Sequence, residues 1–184
     1  MEFTLFYEGL LKPNGDKQHK QNIRRFFHKQ LIRLWEENEL KYYGQFLKKE
    51  GFKKDWEKRG FKFIPLVFTN SGQVAQLELF ILWQDYPGSI VTNKGDIDNR
   101  LKTLFDALKI PEQSQDIPEN DFPQEGEDYF YCVLEDDKLI TKISITTDRL
   151  LYANGSESEV KLFIRVKFKS GKLLFDGKAY FSEW

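Results

Sequence analysis

The chain contains a single cysteine, Cys132, and only two histidines among its 184 residues. One cysteine excludes an intramolecular disulfide and a zinc centre built on cysteine ligands. No stretch approaches the roughly eighteen consecutive apolar residues that a membrane-spanning helix requires. The first residues include a glutamate where a secretory signal needs a basic region and then an apolar run. We therefore expect a cytoplasmic protein without a membrane partner.

What the chain does contain is sufficient for a packed core. Hydrophobic residues make up 40% of the sequence and aromatic residues 16%, with seventeen phenylalanines. This composition argues against global disorder, and the length is typical of one domain. No internal repeat is visible. We expect a single domain over residues 1–184.

The formal net charge of −1 hides a strong asymmetry along the chain. Residues 1–62 carry 15 basic and 9 acidic side chains, and residues 138–184 carry 9 and 5. Residues 106–137, in contrast, carry 1 basic and 11 acidic side chains. Two basic regions around an acidic one are compatible with binding a polyanion, although most charged surfaces are simply solvated.

Hydrophobic periodicity predicts an α+β fold with a mixed or antiparallel sheet. Helical spacing predicts helices at about 18–38 and 97–109, with a partly helical segment over 39–60 broken at Gly44 or Gly51. Alternation and turn signals predict strands at 3–11, 61–69, 74–83, 129–134, 139–147, 159–169 and 172–181. The strands mostly follow one another instead of alternating with helices, which is the reason to expect this class. We expect the sheet to pack with a long N-terminal helix and with a second helix over 97–109. Pro65 predicts that the strand over 61–69 lies at a sheet edge.

Residues 111–128 form the most unusual segment of the sequence. They include three prolines and seven acidic residues, and no lysine or arginine. Such a composition predicts an exposed, mobile loop.

Two short segments carry carboxylates that are candidates for chemistry. Asp96 and Asp98 lie at the entry to the helix over 97–109, and Lys102 follows Asp98 by one helical turn. Asp136 and Asp137 lie in an acidic turn between two apolar strands. If the two segments meet in space, these four aspartates supply the oxygen ligands that Mg²⁺ prefers, with Mn²⁺ as a substitute. The alternative is structural: an aspartate that caps the helix and a surface ion pair with Lys102.

Other chemical groups favour structural roles. His19 and His28 lie on an aromatic, basic helix far from the acid pairs, and Cys132 lies inside an apolar strand. No nucleophile elbow, phosphate-binding loop or dinucleotide fingerprint occurs, which argues against a nucleotide cofactor. Two basic faces are candidates for contact with a DNA backbone: Lys20, Arg24 and Arg25 on the first helix, and Lys161, Arg165 and Lys167 on the strand over 159–169.

The segment GDIDNRLKTLFDALK, followed later by LEDDKLI, resembles the RusA family of Holliday junction resolvases. That family has an Asp-x-Asp-Asn-x-x-Lys helix start that continues to Asp-Ala-Leu, and then an Asp-Asp turn before a strand. The order of strand, long helix, strand, motif helix, acidic turn and strands also agrees. Relative to the family, residues 39–60 and 111–128 look inserted, and the chain extends at its C-terminus from about residue 171.

The resemblance implies a magnesium-dependent endodeoxyribonuclease of DNA recombination and repair. It implies Asp96, Asp98, Lys102 and Asp137 as catalytic residues, with Asp136 as a further metal ligand. It also implies a homodimer whose two sites nick opposed strands of a four-way junction. Two alternatives remain open: a non-catalytic DNA-binding protein of the same fold, and a protein-interaction module that docks through the acidic loop 111–128.

Overall fold

The α+β class is confirmed by a computed structural model, which describes residues 1–84, 97–151 and 159–170. The helices in this part of the chain are α1 (Lys17–Trp35), α2 (Asn38–Lys49) and α3 (Ile97–Leu108). The strands are β1 (Glu2–Leu10), β2 (Glu57–Lys58), β3 (Phe61–Val67), β4 (Gln73–Trp83), β5 (Phe130–Leu134), β6 (Ile140–Arg149) and β7 (Glu159–Ser170). The strand predicted at 172–181 lies outside the described residues.

The described strands form two mixed sheets. The larger sheet has the order β1-β7-β4-β6, in which β7 is antiparallel to both neighbours and β6 is parallel to β4. The smaller sheet has the order β2-β3-β5, with β3 and β5 parallel. Alternation in β7 buries every second residue, as at Leu162 and Ile164. This burial explains why the strand is visible in the sequence.

Helix α1 packs against β1, β5 and α3 and forms the centre of the core. Its first turn is capped by Asp16, whose carboxylate accepts a hydrogen bond of 2.7 Å from the backbone of His19. Ile23, Phe27 and Leu31 follow at helical spacing and are fully buried. The predicted helix is therefore confirmed, and the buried face of α1 fixes the orientation of its polar side chains.

The prediction that β3 is an edge strand is wrong, because β3 lies between β2 and β5. Pro65 is nevertheless accommodated, since β2 pairs only with the first two residues of β3, Phe61 and Lys62. Within the part of the chain that the structure describes, Pro65 pairs on one side alone, opposite Cys132 of β5. The missing N–H of proline therefore interrupts no ladder on the second side.

Helix α2 passes through Gly44 and ends before Gly51, so only the second of the two predicted break points holds. The reason for a glycine inside the helix is close packing. A Cβ at Gly44 would lie 2.9 Å from Cε3 of Trp35 in α1. Buried Leu47 and Trp56 attach the segment over 39–60 to the core.

Most residues of the acidic segment 111–128 are exposed, as its composition predicts, but a few of them attach the segment to the core; its mobility stays a prediction. Ile117 is fully buried, and Asp121 and Glu127 are only 9% and 8% exposed. Arg25 of α1 donates hydrogen bonds to Asp121 at 2.6 Å, to Glu127 at 3.0 and 3.1 Å, and to the carbonyl of Phe122 at 2.9 Å. This arginine clamp fixes the segment against α1. Arg25 is therefore not on the open basic face expected for a DNA contact.

The two histidines and the cysteine all have structural surroundings. His28 is buried, and its Nδ1 accepts a hydrogen bond of 2.9 Å from the backbone of Tyr131. Burial lowers the pKa of His28 to about 4 and raises the pKa of the buried Cys132 thiol. His19 accepts a hydrogen bond of 3.2 Å from the backbone of Lys12. Over the described residues, no helix has both the length and the apolar character to span a membrane.

Candidate functional site

One face of α3 carries a row of charged side chains. Asp98, Lys102, Asp106 and Lys109 follow one another at helical spacing, the last directly after the helix ends. Leu104 on the other side of the helix is fully buried. Because that apolar side anchors the helix in the core, the row of charges, here called the polar stripe, has a fixed position.

A pocket of about 300 Å³ lies between the polar stripe, the N-terminal half of α1 and the start of the acidic segment. Five basic residues line this basic pocket: Lys17, Lys20, Arg24, Lys102 and Lys109. The acidic residues of its lining are Asp106, Glu112 and Asp116. Basic groups outnumber acidic ones in this lining, although Lys109 and Lys17 also pair with Asp137 and Glu119, which do not line it.

Asp106 joins α3 to α1 inside the basic pocket. Lys20 Nζ lies 2.7 Å from Asp106 Oδ2, and Arg24 Nη2 donates a hydrogen bond of 2.7 Å to the Asp106 carbonyl. Arg24 also donates to the side-chain oxygen of Gln21. Only 3% of Arg24 is exposed, and burial lowers its pKa to about 10. Arg24, expected on an exposed DNA-binding face, is instead part of the pocket wall, whereas Lys20 lies at the pocket as a partly exposed side chain.

Lys109 connects the polar stripe to the acidic turn after β5. Its ammonium group is almost fully buried and lies 2.8 Å from Glu112, 3.1 Å from Asp137 and 3.7 Å from Asp106. Burial alone would lower the pKa of Lys109, but the hydrogen bonds to Glu112 and Asp137 outweigh it and raise that pKa. Lys109 is therefore a charged centre shared by three carboxylates.

The three consecutive acids of the turn have three different environments. Glu135 accepts hydrogen bonds from Lys53 Nζ at 2.7 Å, Trp56 Nε1 at 3.0 Å, and the backbone and hydroxyl of Thr69 at 2.6 and 2.7 Å. Burial tends to raise the pKa of Glu135, but these hydrogen bonds prevail and lower it to about 2. Glu135 thereby ties the segment over 39–60 to the end of β5.

Asp136 and Asp137, both predicted metal ligands, already have partners. Asp136 caps a single 3-10 turn by accepting a hydrogen bond of 2.9 Å from the backbone of Lys138, and its carboxylate lies 3.3 Å from Lys138 Nζ. Against the effect of burial, these contacts lower the pKa of Asp136. Asp137 is half exposed and pairs with Lys109.

The remaining predicted site residues lie at the opposite end of α3. Asp98 is exposed, and its Oδ1 accepts a hydrogen bond of 2.9 Å from the backbone of Asn99. Lys102 is also exposed and has no acidic partner within the described ranges. Asp96 lies outside the described residues. The charge of Asp98 suits the N-terminal end of the helix.

Among the described residues, Asp98 and Asp137 share no cluster of three or more metal-ligating side chains. Lys109, the partner of Asp137, lies eleven residues after Asp98. At the rise of an α-helix, this spacing separates the backbone positions of Asp98 and Lys109 by about 16 Å. Among residues 1–84, 97–151 and 159–170, no group of three histidine, cysteine or acidic side chains is arranged to hold a metal ion. A metal site that includes Asp96 stays a prediction.

The second predicted DNA-binding face, on β7, is balanced by glutamates of the neighbouring strands. Lys161 lies 3.2 Å from Glu8 of β1, and Lys167 lies 3.0 Å from Glu78 of β4. Arg165 pairs with Glu2 of β1. These cross-strand pairs replace the open basic surface that the sequence of β7 predicts.

Asp106 and Lys109 are not among the site residues that the sequence predicts, although both belong to the site. The available signal was their spacing, which continues the face of Asp98 and Lys102 by two further turns. The contact of Lys109 with Asp137 joins residues far apart in the chain, and no local pattern reveals it.

No family model, no curated protein and no solved structure matches the chain.

Proposed function

We propose that the chain is a Mg²⁺-dependent endodeoxyribonuclease that cuts branched DNA in the cytoplasm. The observation that carries this proposal is the position of Lys102. It lies in the basic pocket, one helical turn from the exposed carboxylate of Asp98. A carboxylate and an ammonium group on one face, beside a pocket in which basic residues outnumber acidic ones, suit a phosphodiester substrate.

The basic pocket supplies the attraction for the DNA backbone. Lys102 has no acidic partner among the described residues, so its charge is available to a phosphate. Lys17 is also partly available, because its only described ion pair, to Glu119, spans 3.6 Å at the surface. Such contacts hold the backbone without reading its sequence and weaken as salt rises.

The carboxylates of the site fit a magnesium ion only in part. Mg²⁺ is commonly held by one or two carboxylates together with water and substrate phosphate, and Asp98 offers one exposed carboxylate. Asp96 would be the second ligand by its resemblance to the RusA motif. Asp136 and Asp137 are engaged by Lys138 and Lys109, and are weaker candidates. When bound, Mg²⁺ activates water and stabilises the charge on the phosphate.

The proposed substrate is a four-way junction, and the proposed working form is a homodimer that cuts two opposed strands. Both rest on the resemblance of the segments around Asp98 and Asp137 to the RusA family. Size-exclusion chromatography with light scattering checks the dimer, since a monomer at cleavage-competent concentrations contradicts it.

The experiment that tests the proposal compares Asp98→Asn with Asp148→Asn. Both aspartates are exposed, and each caps the backbone N–H of the next residue, Asp98 at 2.9 Å and Asp148 at 2.7 Å. We expect Asp98→Asn to abolish Mg²⁺-dependent nicking of a synthetic junction without loss of the folded circular dichroism spectrum. Asp148→Asn should retain nicking. Equal activity of the two variants would contradict the proposal.

A second candidate function is DNA binding without cleavage. The observation that favours it is the engagement of the acidic turn, where Lys109 neutralises Asp137 and Asp136 serves as a cap. This candidate predicts junction binding that does not depend on Mg²⁺, and no nicking with either Mg²⁺ or Mn²⁺.

A further inference from the structure

Helix α2 presents aromatic side chains to solvent within a basic segment. Tyr42 is 75% exposed and Phe46 is 42% exposed, and they lie four residues apart on the outer face of the helix. Residues 41–54 contain five lysines and a single glutamate. The largely exposed ring of Tyr42 therefore lies in a segment rich in lysines.

Beside this face, a pocket of about 470 Å³ opens between α1 and α2. This cavity is called the α1–α2 pocket, and it is lined by Ile32, Trp35, Glu36, Lys41, Gly44, Gln45, Lys48 and Tyr131. Two aromatic residues and two lysines therefore line the same cavity, together with one glutamate.

The aromatic wall of the α1–α2 pocket is held rigidly. The ring of Trp35 stacks on Tyr131 at 5.3 Å and on Tyr43 at 6.1 Å, with interplanar angles of 23° and 12°. Lys48 Nζ lies 5.4 Å from the centre of the Tyr131 ring. Gly44 lets α2 approach Trp35 closely, as described above. Trp35 is only 4% exposed and supports the wall from behind, so the ring that the wall offers to a ligand is the partly exposed Tyr131.

We propose that the outer face of α2 and the α1–α2 pocket bind unpaired nucleotides of a single-stranded DNA segment. Bases have a planar π face that stacks on aromatic rings, and the phosphates between them are attracted by lysines. The pocket and the exposed ring of Tyr42 supply surfaces on which bases stack. Lys41, Lys48 and Lys49 supply the positive charges that attract phosphates. In relation to the proposed function, this surface recognises a single-stranded arm of a branched substrate.

Single-stranded DNA fits this surface better than two other polyanions. Duplex DNA keeps its bases stacked and paired, so it has no use for exposed rings. An acidic peptide matches the lysines but offers no planar partner for Tyr42. The pairing of exposed aromatic residues with lysines therefore favours unpaired nucleotides.

The first test measures the binding of a fluorescent oligothymidine of about 12 nucleotides, a length within the usual range for one site. Tyr42→Ala should weaken binding roughly 5- to 100-fold, because it removes one stacking platform. The matched control is Phe122→Ala, which removes another exposed ring, 61% exposed, in the acidic segment. This control should bind like the unmodified chain. Equal affinities of the two variants would overturn the proposal.

The second test addresses the lysines. Lys48→Met should weaken oligothymidine binding and reduce the dependence of log K on log salt by about 0.7, the value for one phosphate contact on a single strand. Lys142→Met, an exposed lysine on β6, should change neither. An acidic peptide or a duplex that displaces oligothymidine at equal concentration would show that the surface recognises charge alone, and would overturn the proposal.

These tests are independent of nuclease activity. Cleavage of a junction without unpaired nucleotides should be the same for Tyr42→Ala and the unmodified chain. If the chain cuts junctions but Tyr42→Ala binds oligothymidine normally, the inference fails and the proposed function stands. If the chain cuts no junction, and Tyr42→Ala nevertheless loses oligothymidine binding, the proposed function fails and the inference stands.

Discussion

Three neighbouring carboxylates of the acidic turn illustrate how residue type alone leaves a role open. Glu135 accepts four hydrogen bonds, Asp136 caps a turn and Asp137 pairs with Lys109. In the sequence the three acids are equivalent members of one turn, of which Asp136 and Asp137 were predicted as metal ligands. Glu135 and Asp137 accept hydrogen bonds from residues far away in the sequence, such as Lys53 and Lys109, whereas Asp136 accepts one from nearby Lys138. Only the folded structure therefore distinguishes their roles.

At this scale we predict that Glu135→Gln destabilises the protein by about 2 kcal/mol, since the hydrogen bonds to a charged carboxylate are lost or weakened. In this variant the NH2 group of the glutamine, itself a donor, would also face one of the donors that now bind Glu135: Lys53, Trp56 or Thr69. Urea denaturation at neutral pH measures this free energy of unfolding. Glu125→Gln, at an exposed site in the acidic segment, is the control and should have little effect.

The same comparison has a defined pH dependence. The pKa of Glu135 falls from its usual 4.5 to about 2 on folding, so its stabilisation is complete above pH 4.5 and is lost as the pH falls through about 2. The difference in unfolding free energy between the unmodified chain and Glu135→Gln should therefore shrink over this range. A difference that stays constant with pH would show that the charge of Glu135 contributes nothing.

Secondary-structure elements were predictable where burial is periodic. The apolar stripe of α1, the alternation in β4 and β7 and the four-residue spacing in α3 all locate their elements within a few residues. Which strands pair with one another in the two sheets was not predictable. The strand β3 is central despite Pro65, because β2 is only two residues long.

Charges on elements were visible in the sequence, but their neutralisation was not. The lysines and the arginine of β7 point outward as predicted, yet Glu2, Glu8 and Glu78 arrive from β1 and β4 through pairing across the sheet. In the acidic segment 111–128, Asp121 and Glu127 are likewise neutralised by a residue far away in the sequence, Arg25 of α1. Long-range pairing decides whether a charged face is open, and composition does not report it.

We predict that Arg25→Gln releases the acidic segment. The substitution leaves Asp121 and Glu127 buried without their cation, which costs about 3 kcal/mol when a largely buried pair is broken. Hydrogen exchange should show faster exchange of the amides over 113–127, with less change in β4 and β7.

The control for this prediction is Arg33→Gln, an exposed arginine on the same helix. It should leave both stability and exchange close to those of the unmodified chain. Unchanged exchange over 113–127 in Arg25→Gln would mean that the segment is held by its buried apolar residues, such as Ile117, instead of by the clamp.

On the scale of the whole molecule, the site combines what the sequence predicts with what only the fold provides. The motif around Asp98 and Lys102 was visible as a spacing pattern, and the basic character of α1 as a charge bias. Lys102 of this motif and the basic residues of α1 line one pocket, because α1 packs against α3 through Asp106. Asp98 and Asp137 contact opposite ends of α3, and among the described residues they belong to no common cluster of metal-ligating side chains.

The most direct test of the proposed site is the effect of Lys102→Met on cleavage of a synthetic four-way junction at saturating DNA with Mg²⁺. Lys138→Met is the control, since Lys138 is exposed and its described ion pair is to its neighbour Asp136. We predict that Lys102→Met lowers the cleavage rate about 100-fold or more, the usual effect of removing a group that stabilises the transition state, while Lys138→Met changes it less than about twofold. Equal cleavage rates for the two variants, or no cleavage by the unmodified chain, would contradict the assignment of the polar stripe as a nuclease site.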